Sequence, residues 1–376
     1  MREPAGLYVH LPYCRSRCDY CSFVVTTDQS SRAAYLRALE TEASLAVPDA
    51  SGAAFDTIYL GGGTPSLMPP DDLARLLALL RERFRVLPGS EVTLEANPDD
   101  VTAELSERWV SAGVNRVSLG VQSLSDQELA AVGRRHDAQG ARRALAALRA
   151  SGVSLSGDLI LGLPDQTAES FRRSAEELAG SGVEHVSVYL LETEKSKIIE
   201  ADRRDRPERY LADDEQADLW LALGRALAGA GFSHYEISNW AVPGREARHN
   251  SKYWRRVPTL GLGISAHELW GERRRANVSA LPAYFEGIAR GERPVATDRP
   301  VDAREKAKER IVLGLRLSEG VETSEIEAFI SHTDDSRLAA DWQAWRETGI
   351  LEGGDGRTRF TERGFLLSNE VLCRFV

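Results

Sequence analysis

Through the first half of the chain, short apolar and β-branched runs alternate with longer stretches in which apolar residues recur every three or four positions. The runs read as strands at 7–11, 57–60, 91–96, 116–121, 154–161 and 185–191. The longer stretches read as helices near 31–46, 70–83, 101–111, 138–150, 167–180 and 213–229. Strands alternating with helices build βαβ units and a parallel sheet. Six units fall short of the eight that close a full barrel, so the expected fold is α/β, a partial (β/α)6 TIM-like barrel. In such sheets ligands gather at the carboxyl ends of the strands.

Past residue 235 the rhythm is lost, and residues 236–297 read as a connecting segment rich in His, Tyr, Trp and Asn. From 298 to 376 the chain reads as a small, mostly helical domain, with a wing-like stretch at 358–365. The expected division is therefore 1–235, 236–297 and 298–376. Winged helices often bind DNA, but residues 301–376 carry 15 acidic against 11 basic side chains. The whole chain has a formal charge of -10, the wrong sign for a phosphate-backbone binder, so no nucleic-acid partner is expected. The first six residues hold no apolar signal core, and no run approaches about 18 apolar residues. A cytoplasmic protein without stable membrane insertion is expected.

Three of the four cysteines crowd into a C-x3-C-x2-C run, Cys14, Cys18 and Cys21, directly after the first strand. That is no disulfide framework for a chain of this size. Three thiolates can hold three irons of a [4Fe-4S] cluster, which normally takes four, and leave one iron open to a ligand. Arg15 and Arg17 lie close enough in sequence to offset the charge of such a cluster. The competing reading is a structural zinc site with His10 or Cys373 as fourth ligand, although structural zinc usually draws on two separate clips. Cys373 otherwise reads as a small buried residue.

Polar residues end several strands. Gly61, Gly62, Gly63 and Thr64 form a turn that lets backbone approach a ligand and offers it N-H groups. Glu95, Gln122 and Asp158 follow or interrupt apolar runs, and Arg134 lies just beyond the fourth strand. Buried carboxylates need donors, so Glu95 and Asp158 are either satisfied structural groups or ligand contacts. Arg134 suits a carboxylate, or is a solvated helix residue. His249 offers an imidazole to haem iron with Tyr253 and Trp254 as flat apolar faces, or is a hydrogen-bonded core histidine. His267, His10 and His136 are weaker versions of the same choice.

The cysteine run, with Tyr20 before its last member, resembles the signature of the radical S-adenosylmethionine (SAM) superfamily. Members let the amino and carboxylate groups of SAM chelate the open iron, and an electron from the cluster cleaves SAM to a 5'-deoxyadenosyl radical. The Gly-rich turn is similar to the segment that meets SAM's methionine moiety. Residues 8–14, 119–123, 133–136, 158–164 and 249–254, with Gly261, Gly263 and His267, narrow the likeness to the coproporphyrinogen III oxidase-like branch. By that likeness Tyr8, Gly62, Gly63, Thr64, Glu95, Gln122, Arg134 and Asp158 would line a SAM pocket, with Cys14, Cys18 and Cys21 on the cluster.

In that branch the dehydrogenase carries a fourth cysteine two places after the third, behind a longer N-terminal arm. Here Phe23 holds that place, so it is counted with the cofactor-site residues, and 13 residues precede Cys14. Both features are similar to the HemW-type haem chaperones, which bind haem and pass it to acceptors such as respiratory enzymes. The resemblance implies a [4Fe-4S] cluster, SAM, haem as cargo, haem-acceptor proteins and an electron donor. The alternative it implies is an enzyme that decarboxylates the propionates of coproporphyrinogen III.

Overall fold

The computed structural model describes residues 3–333 and 335–376. Six parallel strands lie side by side in chain order: β1 (Ala5–Leu11), β2 (Ala54–Gly62), β3 (Arg85–Ala96), β4 (Arg116–Gln122), β5 (Ser154–Leu161) and β6 (His185–Leu190). Between them run α1 (Arg32–Ala46), α2 (Pro70–Arg83), α3 (Ala103–Ala112), the short α4 (Asp126–Ala131), α5 (Ala138–Ser151) and α6 (Ala168–Gly180). This is the partial (β/α)6 arrangement the sequence pattern implies.

Local chemistry sets the helix ends. Thr102, Asp137 and Thr167 cap α3, α5 and α6 by accepting from the amides of Leu105, Gly140 and Ser170. Gly113 and Gly152 close α3 and α5 with φ of +100° and +78°, a conformation costly for any other residue.

The two faces of the sheet differ in kind. Leu7, Ile58, Leu94, Val117, Leu159 and Val186 point to the helices and are fully buried, each stabilising the layer by roughly 1.5–3 kcal/mol. The alternate positions face inward and are polar: Tyr8 and His10, Thr57 and Tyr59, Thr93 and Glu95, Arg116 and Ser118, Ser156 and Asp158, Ser187 and Tyr189. A filled barrel would carry Val, Ile and Leu there. This chain encloses a polar lumen instead.

After β6 come α7 (Lys197–Asp205), α8 (Asp213–Gly229) and a hairpin, β7 (Ser233–Glu236) and β8 (Asn239–Ala241), whose second strand pairs antiparallel with β6. Helix α9 (Arg248–Trp254) then crosses beneath the sheet to β9 (Thr259–Leu262), which lies parallel to β1. Three antiparallel strands extend that edge: β10 (His267–Trp270), β11 (Arg273–Asn277) and β12 (Val295–Pro300), with α10 (Leu281–Ala289) before the last. The expectation of a connecting segment at 236–297 is corrected here. Those residues build most of both edges of one 12-stranded sheet.

Buried Glu42 of α1 fastens the extension: it accepts from the Gly263 amide, Asn277 Nδ2 and Tyr284 hydroxyl at 2.7, 2.6 and 2.7 Å. The C-terminal part holds α11 (Ala303–Gly314), α12 (Thr323–Thr333), α13 (Ser336–Glu347), two single-turn helices and the three-stranded sheet of β13 (Val321–Glu322), β14 (Leu351–Gly354) and β15 (Arg357–Phe360). The wing is thus 351–360, and 362–366 is helical. Among the described residues no helix is long and apolar enough to cross a membrane.

Candidate functional site

The cysteine run occupies the loop from β1 to α1, which folds back on its own stem. Thr26 donates its amide to Pro12 and accepts that of Cys14 on its carbonyl. His10 lies beneath, with Nε2 against the Val24 carbonyl at 3.0 Å and Nδ1 against the Tyr8 hydroxyl at 3.1 Å. Both its nitrogens are engaged, so it supports the loop and offers no lone pair to a metal.

Glycines at the next strand end make room for this loop. A Cβ on Gly63 would stand 2.7 Å from the Pro12 carbonyl carbon, and one on Gly62, whose φ is +110°, 2.5 Å from the His10 ring. The expected role of this turn as a set of free N-H donors is corrected. The Gly62 amide goes to Glu95 Oε2, that of Gly63 to the Leu11 carbonyl and that of Thr64 to the Tyr13 carbonyl.

The three sulfurs lie close enough that the Cys18 and Cys21 charges raise the Cys14 thiol, which burial raises most. Burial likewise pushes Cys21 up. Such thiols lose protons readily only when positive charge arrives, as iron would supply. The protein adds donors of its own. Thr64 Oγ1 reaches Cys14 Sγ at 3.4 Å, and Arg134 Nη1 reaches Cys18 Sγ at 3.6 Å and the Tyr20 hydroxyl at 3.4 Å.

Arg134 is therefore the half-buried cation of the loop, held by Asn97 Oδ1 and the Gly120 carbonyl at 2.8 and 2.7 Å. Its solvated-helix reading is set aside. Of the two arginines expected to offset cluster charge, Arg15 is diverted to buried Asp100 at 3.0 Å, whereas Arg17 donates to the Cys21 carbonyl and its charge lowers the Cys21 thiol. A cleft lined by Cys18, Thr64, Asn97, Arg134 and Arg135 opens beside the loop. Donors to sulfur, a half-buried cation and three neighbouring thiols fit a cluster held by cysteine thiolates. Among the described residues, no three His, Cys, Asp or Glu side chains are gathered as the shell of a single ion.

Below the loop the lumen wall carries the remaining candidates. Glu95 accepts from Tyr59 at 2.7 Å and from Gly62; burial, aided by the Asp158 charge, pushes its carboxyl up to about 7. Asp158 accepts from Ser118 at 3.1 Å and is likewise raised by burial. Gln122 ends β4 with φ of +63°, a left-handed conformation rare outside glycine, which turns the chain toward the loop. Tyr8 stacks on Tyr59 at 6.2 Å between ring centres. Tyr8, Gly62, Glu95 and Asp158 thus share one connected lumen, with Cys14, Cys18, Cys21, Thr64 and Arg134 at its mouth.

His249 lies at the other end. It is fully buried, with Nδ1 on Thr57 Oγ1 at 2.8 Å and Nε2 on the Tyr253 hydroxyl at 2.8 Å. Its amide and that of Arg248 are held by Glu91, so α9 forms the floor of the lumen. The haem-ligand assignment for His249 is corrected: the imidazole has no free corner. Burial and the charges of Lys252 and Arg116 hold it down to about 3, so it stays neutral.

Among the other candidates, His136 gives Nε2 to the Val121 carbonyl, and His267 is exposed on β10. Cys373 is exposed, where a buried position was expected. Phe23, also exposed at 66%, leaves its ring on the surface of the cysteine loop. Asn97, Thr93, Arg116, Tyr59 and Tyr189 were missed in the sequence. For the four on strands the signal was the alternation of polar with apolar positions inside runs that read as apolar; Asn97 follows β3 directly.

The Radical SAM superfamily profile matches residues 8–178, and that of the HemN C-terminal domain matches 301–367. The heme chaperone HemW of Mycobacterium tuberculosis H37Rv is 35% identical over 98% of this chain and 94% of its own length. The heme chaperone HemW of Escherichia coli is 32% identical over 99% and 98%. The structure of coproporphyrinogen III oxidase (HemN) from Escherichia coli, a radical SAM enzyme, superposes with a TM-score of 0.86 over 100% of this chain and 90% of that one, at 24% identity. That likeness shows the fold. With the cysteine loop on a partial barrel and full-length similarity above 30%, the chain belongs to the HemW-type branch of the radical SAM superfamily.

Proposed function

We propose that this protein is a haem carrier, which binds haem and passes it to acceptor proteins such as respiratory enzymes. The observation that carries the reading is its near full-length similarity to proteins named heme chaperone HemW. The site agrees with it in one respect: at the place of a fourth cysteine stands Phe23, an apolar ring left open to solvent beside the loop.

Cys14, Cys18 and Cys21 would hold a [4Fe-4S] cluster, with Thr64 and Arg134 donating to two of the sulfurs. When bound, the cluster supplies an open iron for the amino and carboxylate groups of SAM and a site for one electron from a donor protein. The chain's own residues do the rest. Tyr20 and Asn97 orient Arg134, while Tyr59 and Gly62 fix the Glu95 carboxyl near the mouth. Glu95, held at about 7, exchanges a proton near neutrality at its Oε atoms.

The reading is tested by anaerobic titration of the reconstituted protein with haem, followed in the Soret band, and then by mixing with an apo-haem protein. Saturable binding at about one haem per chain and transfer to the acceptor are expected. Absence of saturable binding rejects it, and protoporphyrinogen formed from coproporphyrinogen III and SAM would assign the chain to the enzymes instead.

A further inference from the structure

Arg116 begins β4 on the lumen face and is 4% exposed. In register beside it stands Thr93 of β3, also facing the lumen and fully buried. Arg116 Nε and Thr93 Oγ1 are both buried without a hydrogen-bond partner. Among the described residues the guanidinium enters no ion pair, although its charge lowers the Asp158 carboxyl and the buried His185 and His249 rings. Each nearby carboxylate is already committed: Asp158 to Ser118, Glu91 to the amides of α9, Glu95 to Tyr59 and Gly62.

A buried guanidinium whose nearby carboxylates do not contact it leaves donors unpaired, and its fixed fork matches a carboxylate in shape and charge. Tyr189 and Tyr253 keep 45% and 38% of their surface accessible, although the charges of Asp158 and Glu95 reach their hydroxyls. Both thus present accessible surface among the residues of the lumen wall and floor.

We propose that Arg116 and the Thr93 hydroxyl form a carboxylate-binding subsite on the lumen floor, and that it receives a propionate of haem. The identity of that carboxylate rests on the haem-carrier reading; the subsite itself does not. Position matters to the assignment. Six residue steps along β4 lead from Arg116 to Gln122 at the mouth, about 20 Å at 3.3 Å per step. A SAM molecule chelating iron at the cysteines has its carboxylate at the wrong end, so the ligand on Arg116 is a second, carboxylate-bearing molecule.

Two probes test this on the full chain. The first is sodium propionate against sodium chloride at equal ionic strength, read as thermal unfolding of wild type, R116Q, R116K and T93V. Propionate should raise the midpoint of wild type beyond the chloride control, T93V less, and R116Q not at all. No propionate-specific shift in wild type, or an equal shift in R116Q, overturns the subsite. The second probe is haem against its dimethyl ester, whose propionates carry no charge, in Soret titrations.

Wild type should prefer haem over the ester by roughly ten- to a hundredfold, the effect of one charge-assisted contact, and R116Q should bind the two alike. R116K, which keeps the charge but loses the fork, should fall between. Equal affinity of wild type for haem and ester overturns the assignment to a propionate. Should wild type bind no haem at all yet show the Arg116-dependent propionate shift, the haem-carrier reading fails and the carboxylate subsite stands.

Discussion

Replacing Glu95 by glutamine tests the electrostatics of the lumen directly. In the unfolded chain this carboxyl has its ordinary value of 4.5, and in the folded one it is pushed up to about 7. Burial is the largest cause and the charge of Asp158 adds to it, while the Tyr59 and Gly62 hydrogen bonds work the other way. Between those two pH values the folded state binds more protons than the unfolded state, so stability falls as pH rises from about 4.5 to about 7 and stays lower above that. At about 1.36 kcal/mol per pH unit the full difference is roughly 3 kcal/mol. Glu95 faces a water-accessible lumen, and halving for screening leaves about 1.5 kcal/mol. Glutamine removes this penalty but gives up one of two accepted hydrogen bonds, a loss of about 1 kcal/mol at every pH. About 0.6 kcal/mol of that penalty is already present at pH 5.5, so E95Q should be less stable than wild type by about 0.4 kcal/mol there and more stable by about 0.5 kcal/mol at pH 8.5. Urea unfolding of both chains at both pH values gives the answer. A difference that does not change with pH refutes the argument.

Other perturbations have equally definite outcomes. G63A places a Cβ 2.7 Å from the Pro12 backbone, so the cysteine loop must shift, and iron retained after anaerobic reconstitution should drop well below wild type while circular dichroism is unchanged. E42A leaves the Gly263 amide, Asn277 and Tyr284 without their buried acceptor, and should cost about 3–5 kcal/mol in denaturant unfolding. T57V breaks the hydrogen bond to His249 and H249A breaks that bond and the one to Tyr253, so both should destabilise the lumen floor, H249A more, and each should weaken haem binding only a little. Loss of haem binding in H249A with normal binding in T57V would restore His249 as an iron ligand.

The fold was readable to the extent that its signals are local. Strand 154–161 matches β5 end for end, and the helix at 70–83 matches α2, because a proline start, apolar spacing and β-branched runs act within a few residues. The sheet edges were not readable. β10 and β11 pair only with each other and their neighbours, and their sequence, with Arg273, Arg274 and Arg275 in a row, carries no apolar period. Arg275 meets Glu268 directly across the hairpin, but the other partners, Asp49, Asp298 and Glu309, are distant in sequence, pairings that no local pattern announces.

The same division holds in the site. The cysteines, Glu95 and Arg134 announce themselves by type and by position at strand ends. Arg15 looked like the cation of the cysteine loop because it is adjacent in sequence, whereas Arg134, more than a hundred residues away, stands on the sulfur of Cys18. His249 looked like a ligand because imidazole binds iron. Only the fold shows that Thr57 and Tyr253 already hold both its nitrogens.

The central claim is that three thiols at the mouth of a polar lumen hold a cluster with one open iron. The most direct measurement is electron paramagnetic resonance of the anaerobically reconstituted, reduced protein, with and without SAM, alongside an iron count. About four irons per chain and a signal whose g-values move when SAM is added are the predicted result. A single bound metal, or a cluster signal that ignores SAM and persists in a Cys14→Ala variant, would contradict it.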